Sequence, residues 1–193
     1  MEGWEGPIDT GEVPEDGSYF DVIVVGGGPS GSAAASYNAM NGCKVLLIEK
    51  EVWPRDKVCG DAVGGKSLSH VKELGVKEMV ESTPHFMVDS IVFGSANGNT
   101  VKVMLPQDDF EKKMAGYSLP RKQFDYMMFK RATEIVTEAG GSVIQGFNVK
   151  EVQEDEGKIT GVTGSFGGRS SKSPTLGFTS ALTIGAAGYR CPV

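Results

Sequence analysis

Three observations predict an α/β fold, a parallel sheet with helices, carrying part of an inserted antiparallel β domain. First, Asp21-Val22-Ile23-Val24-Val25 and Lys44-Val45-Leu46-Leu47-Ile48-Glu49 are short, almost continuous apolar runs. Strands buried on both faces of a parallel sheet read this way. Second, the alanine-rich stretch Ser32 to Met40 lies between them, completing a βαβ unit of roughly 30 residues, Rossmann-like in its order. Third, Ile91-Val92-Phe93 and Val101-Lys102-Val103-Met104-Leu105 flank a turn at Ala96-Asn97-Gly98-Asn99. That is the pattern of an antiparallel hairpin.

The chain opens with Glu2, Glu5, Asp9, Glu12, Glu15 and Asp16, and no Lys or Arg precedes Phe20. These six acids equal the whole net charge of -6, so the body is close to neutral. Residues 1–19 are expected to form an acidic, disordered tail. With no basic run anywhere, nucleic acid is excluded as a partner. The helix from Ser32 stops at Asn41-Gly42. Trp53 to Gly65 reads as a loop. Lys66 to Val80 reads as one helix, with Leu68, Val71, Leu74 and Val76 on its apolar side. Gln123 to Ala139 is a further helix, with Phe124, Met127, Met128, Ala132, Ile135 and Val136 at helical spacing and Gly140-Gly141 as its stop.

Short strands are expected at 142–145, 149–154 and 158–163, the last two joined at Glu156-Gly157. The Ser/Gly/Lys stretch 164–179 has no clear period. Ala181-Leu182-Thr183-Ile184 reads as a final buried strand. The expected division is therefore a tail (1–19), the first part of a nucleotide-binding domain (20–84), a hairpin of an inserted substrate domain (85–116), and the first domain continued and truncated (117–193). There is no internal repeat.

Three cysteines, Cys43, Cys59 and Cys191, form no C-x-x-C pair, which argues against a disulfide framework or a zinc site and fits a reducing cytoplasm. No secretory leader or bilayer-length apolar run is present. A cytoplasmic protein is expected, with peripheral membrane contact left open. No cluster of metal-ligand residues appears, so no metal is expected.

Gly26-x-Gly28-x-x-Gly31 sits between the first strand and its helix. Gly26 permits the tight turn, Gly28 lets the backbone approach a pyrophosphate, and Gly31 lets the helix pack closely on the sheet. Pro29 and Ser30 lie in this turn and are expected to bind the cofactor with its glycines, and the free N–H groups and dipole of the following helix N-terminus favour a phosphate. Glu49, followed by Lys50, ends the second strand 18 residues after Gly31, where a carboxylate accepts ribose hydroxyls and repels a 2′-phosphate. A dinucleotide follows from this register; the fingerprint does not separate FAD from NAD.

The next segment does. Trp53-Pro54-Arg55-Asp56-Lys57-Val58-Cys59-Gly60-Asp61-Ala62-Val63 resembles the P-R-x-K-x-C-G-D signature of the geranylgeranyl reductase family, FAD enzymes related to the aromatic-hydroxylase flavoproteins. The resemblance implies FAD as cofactor, with the Cys59-Gly60-Asp61 turn lying against the flavin and Cys59, Gly60 and Ala62 counted among the residues that bind it. On the residues themselves, Arg55 and Lys57 bring positive charge to a pyrophosphate or a reduced flavin. Gly60, Gly64 and Gly65 let the backbone lie close to a planar ring. Cys59 reads as a small buried hydrophobe, with a reactive thiol as the alternative.

Tyr117-Ser118-Leu119-Pro120-Arg121-Lys122-Gln123-Phe124-Asp125 resembles the family's R-x-x-F-D entry into a long helix. That assigns Arg121 to FAD, with a helix-start surface charge as the alternative. Val149 matches the family position whose backbone meets the adenine. Ile184-Gly185-Ala186-Ala187-Gly188-Tyr189-Arg190 resembles the family's I-G-A-D-G-x-x-S motif, but Ala187 replaces its aspartate and Cys191 stands near its serine. The contacts of that aspartate are missing here.

Family members are roughly twice as long, so the chain is expected to be a fragment of a longer enzyme. The resemblance implies reduction of C=C bonds of prenyl chains in isoprenoid lipids or pigments. The partners would be a prenylated lipid or pigment substrate and a reduced pyridine nucleotide or ferredoxin-type electron donor. Flavin-dependent monooxygenation and a non-catalytic FAD-binding remnant are the alternatives. His70 and His85 read as surface or packing residues, and the catalytic group is unknown, with Cys59 and Asp61 as weak candidates.

Overall fold

A computed structural model describes residues 6–105, 116–167, 173–189 and 191–193. The chain divides into two compact units, one of Asp56–Phe124 and one of Glu2–Arg55 together with Asp125–Val193.

The larger unit holds the mixed sheet. Its strands are β1 (Tyr19–Val25), β2 (Val45–Glu49), β8 (Ser142–Gln145), β9 (Phe147–Asp155), β10 (Lys158–Phe166) and β11 (Leu176–Gly185), and its first helix is α1 (Pro29–Met40). The order across the sheet is β8-β2-β1-β11-β10-β9. The first four strands are parallel, and β10 and β9 follow as antiparallel neighbours. Every residue of β2 is buried, as its unbroken apolar run requires. Ile23, Leu46, Ile48, Ile144, Phe147 and Phe178 form the heart of the core. α1 buries only small residues, Gly31, Ser32, Ala35, Ser36 and Ala39, so its axis lies close to the strands.

Two expectations change in this unit. The acidic opening is not a loose tail over its described residues. Ile8 is buried, its carbonyl accepts the Nε2–H of Gln145 at 2.6 Å, and Asp16 and Gly17 bond to Gly177. Glu2 and Glu5 lie outside the described residues. The last strand begins at Leu176, five residues earlier than its apolar run, and Leu182 is half exposed. β10 pairs only with residues up to Thr179, so the end of β11 has β1 alone beside it among the described strands. The unperiodic stretch partly lies outside the described residues, at 168–172.

The smaller unit contains β3 (Ala62–Gly64), α2 (Ser67–Glu73), α3 (Lys77–Glu81), β4 (Phe86–Val88), β5 (Ser90–Gly94), β6 (Thr100–Met104) and β7 (Gly116–Ser118). The three shortest strands form a sheet in the order β3-β7-β4, and β5 and β6 form the expected hairpin. The helix expected over 66–80 is two helices. Gly75 adopts φ +73°, a left-handed conformation that ends α2 because a side chain there would be strained. The apolar spacing survives the break, since Leu68, Val71, Leu74, Val76 and Val80 are all buried. The long helix α4 spans Arg121–Glu138, two residues earlier than its apolar pattern. No helix of the described residues is long and apolar enough to cross a membrane.

Candidate functional site

At Gly26, Gly27 and Gly31 the turn between β1 and α1 is packed so tightly that no side chain fits. A Cβ on Gly26 would stand 2.6 Å from the backbone of Ala186 and Ala187, and one on Gly31 would collide with the carbonyl oxygen of Gly26. The glycine fingerprint and the Ile184–Arg190 segment therefore meet here, since Ala186 also donates its N–H to Val25 at 2.7 Å. Arg190 of that segment lies outside the described residues. Ala187 is partly buried against the core, with a methyl where the family has a carboxylate.

Gly27, left open in the sequence pattern, is as constrained as Gly26 and Gly31. A Cβ there would stand 2.5 Å from the Phe129 ring and 3.0 Å from the Glu49 Cβ. Its N–H donates to Glu49 Oε2 at 2.7 Å, and its carbonyl accepts the Ser32 hydroxyl at 3.0 Å. Glu49 is buried, and its second oxygen accepts the Glu51 N–H at 3.0 Å. Each carboxylate oxygen keeps a further lone pair for a hydroxyl. Lys50 points to solvent at the strand end.

Gly28 differs from the others. A Cβ there would meet a single group, Nη2 of Arg55, at 3.5 Å. Gly28 is the N-cap of α1, Pro29 follows at the first helical position, and Ser30 is exposed in the first turn. The first N–H groups of a helix have no intrahelical acceptor, so this end offers donors.

Arg55 is held from two sides. Its Nη1 meets Asp125 Oδ2 at 2.9 Å, with the Asp125 side chain fully buried. Its guanidinium lies 4.4 Å from the centroid of the Trp53 ring, which itself stacks on Phe129 at 5.1 Å. The sequence pattern assigns no role to Trp53, Asp125 or Phe129. The signal for Asp125 is its place as the last residue of the R-x-x-F-D segment.

In the smaller unit the two other signature segments come together. Asp61 accepts the Leu119 N–H on its carbonyl at 3.0 Å and the Arg121 N–H on Oδ1 at 3.2 Å, while Ala62 pairs with Ser118. Asp61 thus acts as a remote cap on the first turn of α4. Cys59 and Gly60 are exposed beside it, so Cys59 is not the buried hydrophobe expected; nothing in the described unit covers it. Arg121 is half-buried. Val149, in the larger unit, pairs with Gly164 and packs partly buried against the core. His70 lies 3.7 Å from Glu73 on the surface, and His85 packs edge-on against Tyr117, as packing or surface residues do.

A turn cleared of side chains, a free helix N-terminus and a clamped guanidinium fit a phosphate-bearing dinucleotide. Comparison with known proteins points the same way. The chain is 45% identical over 87 residues to conditioned medium factor receptor 1 of Dictyostelium discoideum, covering 45% of this chain and 17% of that protein. It is 33% identical over 161 residues to a digeranylgeranylglycerophospholipid reductase of Methanocella arvoryzae, covering 76% of this chain and 35% of that one. The fold matches the myxobacterial chondrochloren halogenase CndH, an FAD-dependent halogenase, with a TM-score of 0.77 at 23% identity over 90% of this chain and 38% of the halogenase. The chain thus spans about a third or less of the length of these curated relatives. The sequence profile of the FAD binding domain matches residues 19–193. From these matches the chain belongs to the FAD-binding domain family of flavin-dependent oxidoreductases, with FAD as the cofactor and geranylgeranyl reductases among its relatives.

Proposed function

We propose that this chain holds the ADP half of FAD at the β1–α1 turn, within an enzyme that reduces C=C bonds of prenyl chains in isoprenoid lipids or pigments. The observation that carries the cofactor reading is the approach of Arg55 to Gly28, the one turn glycine whose missing side chain leaves open space and a cation. The glycine turn and the N–H groups of Ser30 and Gly31 would receive the pyrophosphate. Arg55 would neutralise its charge while Asp125 and Trp53 keep the guanidinium from swinging away. Glu49 would accept the ribose hydroxyls on its remaining lone pairs and disfavour a 2′-phosphate. Cys59, Gly60, Ala62 and Arg121 would serve the flavin side, Val149 the adenine, and Lys50 the rim of the site.

The chemistry that FAD supplies when bound and reduced is transfer of a hydride to one carbon of the double bond, a proton completing the other. The electrons would come from a reduced pyridine nucleotide or a ferredoxin-type donor. The prenyl reading is supported by the P-R-x-K-x-C-G-D segment and by the similarity to the digeranylgeranylglycerophospholipid reductase of Methanocella arvoryzae. Asp61 is engaged in capping α4, which favours a structural part for it over an acid.

Anaerobic incubation of the chain with FAD, a chemical reductant and a geranylgeranyl glycerolipid tests this reading by mass spectrometry. A gain of two hydrogens per double bond is expected. In a parallel incubation under air, a product that gains oxygen, with no hydrogen gained anaerobically, would replace the reductase reading with monooxygenation.

A further inference from the structure

We propose that the N-terminal segment is a positioning element for the FAD site, acting through Gln145 on the loop that carries Arg55. This rests on the reading above that Arg55 faces the FAD phosphates. The loop after β2 has no ladder of its own to fix it. It is tied down by the Gly146 N–H, which donates to the Glu51 carbonyl at 3.2 Å, and, next to Arg55, by the Trp53 N–H, which donates to Gln145 Oε1 at 3.0 Å. The other end of the same amide donates from Nε2 to the Ile8 carbonyl at 2.6 Å.

An amide side chain has its acceptor on one side and its donors on the other. Trp53 offers only a donor here and Ile8 only an acceptor, so one orientation of Gln145 satisfies both and a flipped one satisfies neither. The N-terminal segment itself is pinned at two points. Ile8 buries its side chain, and further along Asp16 and Gly17 exchange hydrogen bonds with Gly177 at 2.7 and 2.8 Å. Ile8 therefore fixes Gln145, Gln145 fixes Trp53, and the Trp53 ring is the surface on which the Arg55 guanidinium lies. Gln145 and Ile8 are positioning residues: neither is placed against the cofactor.

The chain carrying Gln145→Leu, Ile8→Ser, Arg55→Met, and each of the first two combined with Arg55→Met is titrated with FAD by quenching of flavin fluorescence. Arg55→Met is expected to raise the Kd about tenfold or more, as loss of a charge-assisted contact does. Gln145→Leu and Ile8→Ser are each expected to raise it about fivefold, and to add nothing once Arg55 is already Met. Thermal unfolding of each variant confirms folding, and Ile8→Ser carries the cycle alone if Gln145→Leu does not fold. Equal fold-changes with and without Arg55 would overturn the positioning role and leave the Arg55 reading standing. An unchanged Kd in Arg55→Met would overturn the Arg55 reading, and the positioning role with it.

Discussion

Arg55 and Asp125 meet at 2.9 Å across 70 residues of sequence, and the Asp125 side chain is wholly withdrawn from solvent. A long helix thereby reaches the loop after β2 and determines where its cation rests. The pair is nearly enclosed, since only 15% of the Arg55 side chain is exposed.

Removing the acid leaves a buried cation without its partner. Asp125→Ala is expected to lower stability by about 3–5 kcal/mol, the range for breaking a buried pair, and Asp125→Asn by less because it keeps an acceptor. Urea unfolding of the two variants checks this. A loss for Asp125→Ala no larger than that of a surface substitution would mean the pair is not buried in solution.

Gly27 is constrained by an aromatic ring rather than by its backbone angle. Gly27→Ala places a methyl against Phe129 and is expected to cost about 1–3 kcal/mol as overpacking. The smaller side chain of Phe129→Leu should recover part of that loss in the double variant. Thermal unfolding of the four-member cycle reads the coupling, and strict additivity would place the ring elsewhere.

Burial raises the Tyr126 phenol above its ordinary 10.0. The folded chain then holds this proton at a pH where the unfolded chain has lost it. The stability linked to this proton is fully present below about pH 10 and is lost as pH rises through the native value. Tyr126→Phe should flatten the decline in urea midpoint on the alkaline side. An identical decline in both proteins would assign it to other groups.

The break between α2 and α3 rests on Gly75. Gly75→Ala forces a Cβ into a left-handed conformation and is expected to cost about 1–2 kcal/mol. Chemical denaturation provides the readout, and a stabilised variant would indicate that the two helices merge into one.

The βαβ unit was legible because its signals are local. The glycine spacing, the apolar run of β2 and Glu49 all lie within a few dozen residues, and each acts through its own backbone. The parts that escaped depend on distant partners. Acidic composition made residues 6–18 read as a tail, while one buried isoleucine and an amide 137 residues away hold them down. The helix over 66–80 misled because apolar spacing continues across Gly75 even though the helix does not. Strands of three residues such as β3, β4 and β7 carry too few positions for any period to show. Arg55 was legible as a charge near a phosphate, but its clamp by Trp53 and Asp125 depends on the tertiary fold.

The measurement that bears most directly on the FAD site is retention of flavin by the purified chain after desalting, with FAD and FMN compared side by side. A site built from the glycine turn, Glu49 and Arg55 grips the adenosine and pyrophosphate, which FMN lacks in full. FAD absorbance is therefore expected to travel with the protein while FMN is lost. A folded chain that retains both flavins equally, or neither, would contradict an ADP-binding site at this turn.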